Sequence, residues 1–145
     1  MADIAYQYRG ELVDQVHGGH IAVTDHTGRL LWKLGDPERL TFARSSAKPI
    51  QAVPVAESGA LEHYGITQRE LAVICASHNG EPFHIEAVES ILRKAGLSPS
   101  DLHCGAEYPM YVPAEDALKL AGVPRAPIYC DCSGKHAGML ITARH

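Results

Sequence analysis

Two apolar-rich runs near the start of the chain predict a pair of strands. Residues 20–25 and 29–34 are rich in apolar side chains, and His26, Thr27 and Gly28 separate them. Strand-length apolar runs joined by such a short turn-forming segment are typical of a β-hairpin. We therefore predict a hairpin over residues 20–34.

Several later segments have apolar residues every three or four positions, which is the spacing of an amphipathic helix. These predicted helices cover residues 46–61, 81–95, 113–120 and 134–145. The second has the clearest apolar face, and Gly96 follows it as a stop signal. Pro54 lies inside the first, where its missing N–H and the bulk of its ring predict a bend or an early end.

A capping motif and two further apolar runs complete the predicted elements. Thr67 and Glu70 have the spacing of a capping box, so a short helix is predicted to begin there. The apolar runs 71–76 and 126–130 predict strands. Strands mixed with helices over 145 residues favour one α/β or α+β domain spanning residues 1–145.

Composition and charge exclude some classes of protein. The chain has 13 Lys and Arg against 17 Asp and Glu, a formal net charge of −4, which disfavours a general nucleic-acid binder. Its apolar stretches are far shorter than the roughly 20 residues of a membrane-spanning helix. The acidic residues near the start do not match a secretory signal. We therefore predict a cytoplasmic protein that binds neither nucleic acid nor membrane, with its four cysteines as reduced thiols.

Ser45 and Lys48 form an S-x-x-K spacing at the start of the first predicted helix. This spacing puts a hydroxyl and an amine about one turn apart on the same face. A serine becomes a good nucleophile when a neighbouring group takes its proton, and a lysine does so only in its neutral form. The same spacing also suits a capping serine followed by a solvated lysine, and on spacing alone that account is favoured.

A second polar cluster, CASHNGE, occupies residues 75–81. Ser77 could take part in proton transfer, His78 could act as an acid or base, and Glu81 could bind a substrate ammonium group. The alternative is that Ser77 or Asn79 caps the helix that follows. On this segment alone, capping is the favoured interpretation.

A third cluster, CSGKHAGM, occupies residues 132–139. It does not match a phosphate-binding P-loop, because the required glycine and hydroxyl positions hold other residues. Cys132 could ligate a soft metal together with Cys130, Lys135 or His136. A complete zinc site cannot be inferred, since a second half-site is missing, and a small buried cysteine is the alternative.

Taken together, RSSAKPIQA at 44–52, CASHNGE and CSGKHAGM resemble, in this order, the asparaginase II family of bacterial L-asparaginases. The resemblance extends over nearly the whole chain and includes the stretches HGGHIAVTDHTG and CGAEYP. It implies a serine β-lactamase-like fold, in which helices flank a mixed sheet. It also implies an amidohydrolase that converts L-asparagine to L-aspartate and ammonia.

The resemblance implies roles for particular residues. Ser45 is implied as the nucleophile and Lys48 as its base, while Ser77 belongs to a second Ser-Lys pair whose lysine is outside this chain. The family's metal site implies Cys132 and Lys135 as ligands, with zinc as the candidate metal and no organic cofactor. His136 is implied to shape the substrate pocket. Cys130 and Asp131 depart from the family's usual pattern.

The last predicted helix has no cap and no polar tail at residue 145. This pattern is typical of a truncated chain, and the resemblance implies that the chain is the N-terminal half of a longer amidohydrolase. We expect such a half to have unpaired strand edges and exposed apolar surface that favour a homo-oligomer. Three alternatives stay open at this point: a catalytically inactive fragment, a small metal-binding module around Cys130, Cys132 and His136, and a β-lactamase-like hydrolase of cyclic amides.

Overall fold

The computed structural model describes all 145 residues as a mixed α+β protein, with six α-helices and two antiparallel sheets of two strands each. The chain divides into two compact units, Met1–Phe42 and Ala43–His145. All strands lie in the first unit and all helices in the second. The expected single mixed sheet is therefore wrong for this chain, because each sheet consists of one hairpin.

The first unit contains two hairpins. Strands β1 (Ala2–Arg9) and β2 (Leu12–Gly19) pair with each other, as do β3 (Ile21–Thr24) and β4 (Leu30–Leu34). The second pair confirms the hairpin predicted over residues 20–34. Its turn is held by Asp25, whose Oδ1 accepts the Thr27 N–H at 2.9 Å. The first hairpin was not predicted.

The second unit is helical. It comprises α1 (Lys48–Glu57), α2 (Ala60–His63), α3 (Gln68–Ile74), α4 (Pro82–Lys94), α5 (Val112–Leu120) and α6 (Ser133–Arg144). The helices predicted over 81–95, 113–120 and 134–145 are confirmed to within about one residue at each end. The capping box is also confirmed, because Thr67 and Glu70 each bind the other's backbone N–H.

Both strands predicted in this unit are wrong. Residues 68–74 continue as α3, because the capping box starts a helix whose apolar residues Val73 and Ile74 face the core. Residues 127–129 form a short 3-10 helix, and only Ala126 pairs as an isolated bridge, with Glu107. A short apolar run does not distinguish a buried helix from a buried strand.

Pro54 lies inside α1 without ending the helix at once. The helix continues to Glu57, and the carbonyl of Pro54 accepts the N–H of Ser58. The helix thus passes through Pro54 but ends before residue 61, so the expected shortening is confirmed. Lys48, Ala52 and Val55 form the buried side of α1, so packing of this side offsets the hydrogen bond that proline cannot make.

The core of the second unit surrounds α6, which packs against α1, α3 and α4. Its side chains come from every one of these helices: Ala52, Val55, Val73, Ile74, Val88, Ile91, Leu92, Ala137 and Ile141 are buried. Gly138 allows the close approach of α6 to α3, since an added Cβ would lie 2.6 Å from a methyl of Ile74. This packing brings the start of α6 close to the end of α3.

No helix of this chain combines the length and the apolar character needed to cross a bilayer.

Candidate active site

Ser45 lies on a short 3-10 helix, Arg44–Ala47, that leads directly into α1. Arg44, the residue before Ser45, has a φ of +51°. This is a left-handed conformation that residues other than glycine rarely adopt. Such conformations concentrate at functional sites, where the surrounding structure stabilises them. The start of α1 therefore combines an exposed serine with an unusual backbone conformation.

Two hydroxyls and one amine meet between α1 and the end of α3. The Oγ atoms of Ser45 and Ser77 are 2.8 Å apart, and Nζ of Lys48 lies 2.7 Å from Oγ of Ser77. Ser77 thus joins the other two residues into one chain of hydrogen bonds. The three residues predicted as catalytic are brought together, although the resemblance had assigned Ser77 to a different lysine.

Lys48 is a buried amine without a carboxylate partner at hydrogen-bond distance. Its residue is 3% exposed, and besides Ser77 its Nζ contacts only backbone carbonyls, those of Asp131 at 3.3 Å and Ala76 at 3.4 Å. A buried lysine is costly to keep charged unless it is paired. These acceptors fix the position of the amine beside Ser77.

A cleft of about 270 Å³ opens beside the catalytic candidates Ser45 and Lys48. Its lining residues come from the start of α1 and the start of α6: Arg44, Ser45, Lys48, Gln51, Asp131, Cys132 and Lys135. Three of these side chains are basic and only one is acidic. Such a cleft favours a small ligand that carries a carboxylate.

Asp131 is a residue of this cleft to which sequence reasoning gave no role. Burial alone would raise the pKa of its carboxyl, but hydrogen bonds with Cys132 and Ser77 are among the contacts that outweigh burial and lower the pKa. Asp131 is therefore ionised at neutral pH. Its place in the sequence CDCSGK, one residue before Cys132, was the only signal that could have indicated it.

His78 lies directly after Ser77 and is 4% exposed. Its Nε2 is 2.8 Å from Oγ of Ser133, and its Nδ1 accepts the Gly80 N–H at 3.1 Å. Burial, together with His84 and Lys48, lowers the pKa of His78 to about 4. Both ring nitrogens are thus occupied by the protein, and the predicted role in substrate binding stays a prediction.

The other two predicted substrate-binding residues lie outside the cleft lining. Glu81 is the residue before α4 and is half-buried. His136 lies on α6, where its Nδ1 donates to the carbonyl of Cys132 at 3.0 Å. The structure does not place either of them beside Ser45, so their roles in substrate binding also stay predictions.

A second cavity, of about 290 Å³, lies between α3 and α4. Ser77 and His78 contribute to its lining, together with Arg69, Phe83 and His84. Nδ1 of His84 is buried without a hydrogen-bond partner. Ser77 is therefore accessible from a cavity that the residues of α1 do not line.

The predicted metal ligands lie at the start of α6. Donor atoms of Cys130, Asp131 and Cys132 lie within 4.8 Å of one another, and Lys135 shares the cleft with Cys132. Burial is the main cause that raises the pKa of Cys130 to about 12, so this thiol keeps its proton at neutral pH. All four cysteines of the chain are free thiols.

A model of the L-asparaginase II family matches residues 5–145. The chain belongs to the L-asparaginase II family. Every residue of the cleft lies within the matched segment, and membership in an asparaginase family implies an amino-acid substrate. Comparison with curated proteins finds no match.

Proposed function

We propose that this member of the L-asparaginase II family hydrolyses the side-chain amide of L-asparagine to give L-aspartate and ammonia. The observation that carries the proposal is the hydrogen-bonded chain from Ser45 through Ser77 to the buried amine of Lys48. This arrangement supplies a nucleophile with a route for its proton. The family match supports an amide of an amino acid as the substrate.

The first step forms an acyl-enzyme. Oγ of Ser45 attacks the side-chain carbonyl carbon, its proton passes to Ser77, and the proton of Ser77 passes to the neutral amine of Lys48. The proton then returns from Lys48 through Ser77 to the leaving nitrogen, so the C–N bond breaks and ammonia departs. Positioned proton transfer of this kind typically contributes about 10²- to 10⁴-fold to a rate.

The second step regenerates the enzyme. A water molecule attacks the ester and gives a proton to Ser77, whose own proton passes to Lys48. The proton then returns through Ser77 to Oγ of Ser45, which releases aspartate and restores the hydroxyl. The charge on the carbonyl oxygen needs a hydrogen-bond donor in both steps, and the backbone N–H of Ser45 is the candidate. Loss of one such donor typically costs about 2.7 to 4 kcal/mol of transition-state stabilisation.

The charges of the cleft support a substrate with an α-carboxylate and an α-ammonium group. Arg44 and Lys135 offer positive charge to the carboxylate, and the ionised Asp131 offers negative charge to the ammonium group. Glutamine carries the same groups and differs by one methylene, which is worth only about 1 to 3 kcal/mol of discrimination. We therefore expect glutamine to be hydrolysed more slowly, but measurably.

The decisive experiment measures ammonia release from L-asparagine by the purified chain. We expect release by the wild type and none by Ser45→Ala, and a covalent mass increase at Ser45 when the wild type is quenched during turnover. Ser46→Ala is the matched control, because the Ser46 hydroxyl donates to the carbonyl of Ala43 and takes no part in the catalytic chain. It should keep wild-type activity.

The absence of both ammonia release and an acyl-enzyme from the wild type would contradict the proposal and favour the inactive-fragment alternative. Turnover of a chromogenic β-lactam, with no release from asparagine, would favour a hydrolase of cyclic amides instead.

A zinc site is the second candidate function, favoured by the three donors that meet at the start of α6. Two thiolates and a carboxylate are a donor set that zinc accepts, so Cys130 would lose its proton when the ion binds. Cys130, Asp131 and Cys132 would hold the ion, with Lys135 as a further ligand in its neutral form. Bound zinc would supply a fixed positive charge beside the cleft. Stoichiometric binding that Cys132→Ala abolishes, measured by metal analysis, tests this site.

Two wider expectations accompany the proposal. We propose a cytoplasmic location. The four free thiols support it, since disulfides are rare in that compartment. We also propose that the helical unit corresponds to part of a serine β-lactamase-like fold, as the resemblance implies. A solved structure of a complete family member would test the second expectation.

A further inference from the structure

A buried pair, His78 and Ser133, links the end of α3 to the start of α6. Ser133 is fully buried, and its Oγ is 2.8 Å from Nε2 of His78. The two residues are 55 positions apart, so this bond joins distant parts of the chain. A second bond runs beside it, from the His78 N–H to the carbonyl of Asp131 at 3.2 Å.

The hydrogen bonds of the ring determine where its proton lies. Nδ1 accepts the Gly80 N–H, so this nitrogen carries a lone pair. The proton of the neutral ring is then on Nε2, from which it is donated to Ser133. Every hydrogen-bonding atom of the imidazole is therefore used inside the protein, and none is left for a ligand.

The same segment holds the acceptors of Lys48. The residue before His78 is Ser77, which contacts Nζ of Lys48 at 2.7 Å. The carbonyl that accepts the His78 N–H, that of Asp131, also accepts Nζ of Lys48 at 3.3 Å. A shift of His78 therefore moves two of the atoms that surround the amine.

We propose that His78 is a positioning residue, which is held by Ser133 and which in turn holds Ser77 and the Asp131 carbonyl against the Lys48 amine. The inference rests on the proposed function for its kinetic consequence. It assigns the buried histidine to the geometry of proton transfer and not to substrate contact. Since small displacements of reacting groups cost up to about 10²-fold in rate, the bond to Ser133 should affect kcat.

Three substitutions distinguish the hydrogen bond at Nε2 of His78 from the one at Nδ1. Ser133→Ala removes the partner of Nε2 and leaves the volume almost unchanged. His78→Gln places an amide near the Nε2 position and keeps a donor for Ser133, whereas His78→Asn places an amide near the Nδ1 position and keeps only the acceptor for Gly80. Ile91→Val, in the same core and fully buried, is the control for a general loss of stability.

We expect Ser133→Ala and His78→Asn to lower kcat roughly 10- to 100-fold while KM changes by less than about twofold. His78→Gln should be closer to the wild type than His78→Asn. The double variant Ser133→Ala with His78→Asn should be no slower than its slower parent, because both changes remove the same bond. Ile91→Val should keep the wild-type kcat although it loses about as much thermal stability as Ser133→Ala.

A readout that does not depend on activity distinguishes this inference from the proposed function. The NMR chemical shift of the Lys48 Cε methylene, measured at one fixed pH, reports the surroundings of the amine. Ser133→Ala should displace this signal from its wild-type position, and Ile91→Val should not. If the wild type releases no ammonia but Ser133→Ala still displaces the signal, the proposed function fails and the positioning role stands.

If Ser133→Ala and Ile91→Val have the same kcat and the same chemical shift of the Lys48 Cε methylene, the inference is overturned. A rise in KM with unchanged kcat in the His78 variants would also overturn it, because that pattern is expected of a substrate-binding residue.

Discussion

Ser77 has a different lysine partner in the structure from the one that its motif implied. The resemblance assigned it to a lysine outside the chain, but its Oγ contacts both Ser45 and Lys48. The hydrogen bonds of Lys48 go to Ser77 and to two carbonyls, and not to Ser45. In the proposed mechanism, a proton that leaves Ser45 for the amine therefore passes through Ser77.

This route predicts that Ser77→Ala slows acylation by about 10²- to 10⁴-fold, the usual contribution of a positioned proton transfer. Ser77→Thr keeps a hydroxyl at an exposed position and should recover most of the loss. The measurement is the rate of acyl-enzyme formation at Ser45, followed by rapid quench and mass spectrometry. A wild-type rate in Ser77→Ala would show that Lys48 takes the proton from Ser45 directly.

Local spacing was enough to single out Ser45 and Lys48 as candidates, but not to identify their partners. Ser45 and Lys48 are three residues apart, so helical geometry alone places them on one face. The contact of Lys48 with the Asp131 carbonyl spans 83 positions, and the bond from His78 to Ser133 spans 55. Such pairings depend on how α3 and α6 pack, which no local pattern encodes.

At the scale of elements, one buried carboxylate joins α3 to α4. Oε2 of Glu70 accepts the Thr67 N–H at 2.6 Å and contacts Nζ of Lys94 at 2.6 Å. Lys94, the last residue of α4, also donates to the carbonyl of Gly65 at 2.7 Å. The capping box therefore does more than start a helix, because its carboxylate also binds the end of the next one.

This arrangement predicts a defined pH dependence of stability. Burial alone would raise the pKa of Glu70, but the hydrogen bonds from Lys94 and Thr67 outweigh burial and lower the pKa from 4.5 to about 2. Ionised Glu70 therefore stabilises the fold above the unfolded-state pKa. This contribution is lost as the pH falls from about 4.5 to about 2, since protonation then favours the unfolded chain.

Glu70→Gln tests the direction of this pH dependence. At pH 7 we expect it to lower the free energy of unfolding by up to about 3 kcal/mol, as measured by urea denaturation. The difference from the wild type should shrink progressively below pH 4.5. Glu86→Gln, at an exposed position on α4, is the control and should stay within about 0.5 kcal/mol of the wild type. A Glu70→Gln deficit that is the same at pH 7 and pH 3 would contradict the ion-pair account.

Elements with a capping motif or a regular apolar spacing could be predicted at least in part. The apolar face of residues 81–95 identified α4, and the capping box identified the start of α3. The rest of α3 was assigned to a strand, because the six apolar residues 71–76 fit either element. Strands β1 and β2 were missed. Their side chains are mostly exposed, so the alternation that burial imposes on a strand is weak there.

At the scale of the whole molecule, the first unit leaves much apolar surface exposed. Tyr6, Tyr8, Leu12, Val13 and Val16 of the first hairpin are each at least half exposed. A two-stranded hairpin is marginal by itself, and an exposed apolar edge is a place where another chain can add. We therefore expect a second copy of the chain to associate through β1 and β2.

Sedimentation velocity should show species heavier than the 15.7 kDa monomer, with a share that grows with protein concentration. The double variant Leu12→Lys with Val16→Lys should return the chain to the monomer. Glu57→Lys, on the exposed side of α1, is a matched control, because either change raises the formal net charge by two, from −4 to −2. A smaller net charge favours association in general, so dissociation of the double variant alone would assign the contact to the apolar side chains of β2. A wild type that stays monomeric at every concentration would contradict the expectation.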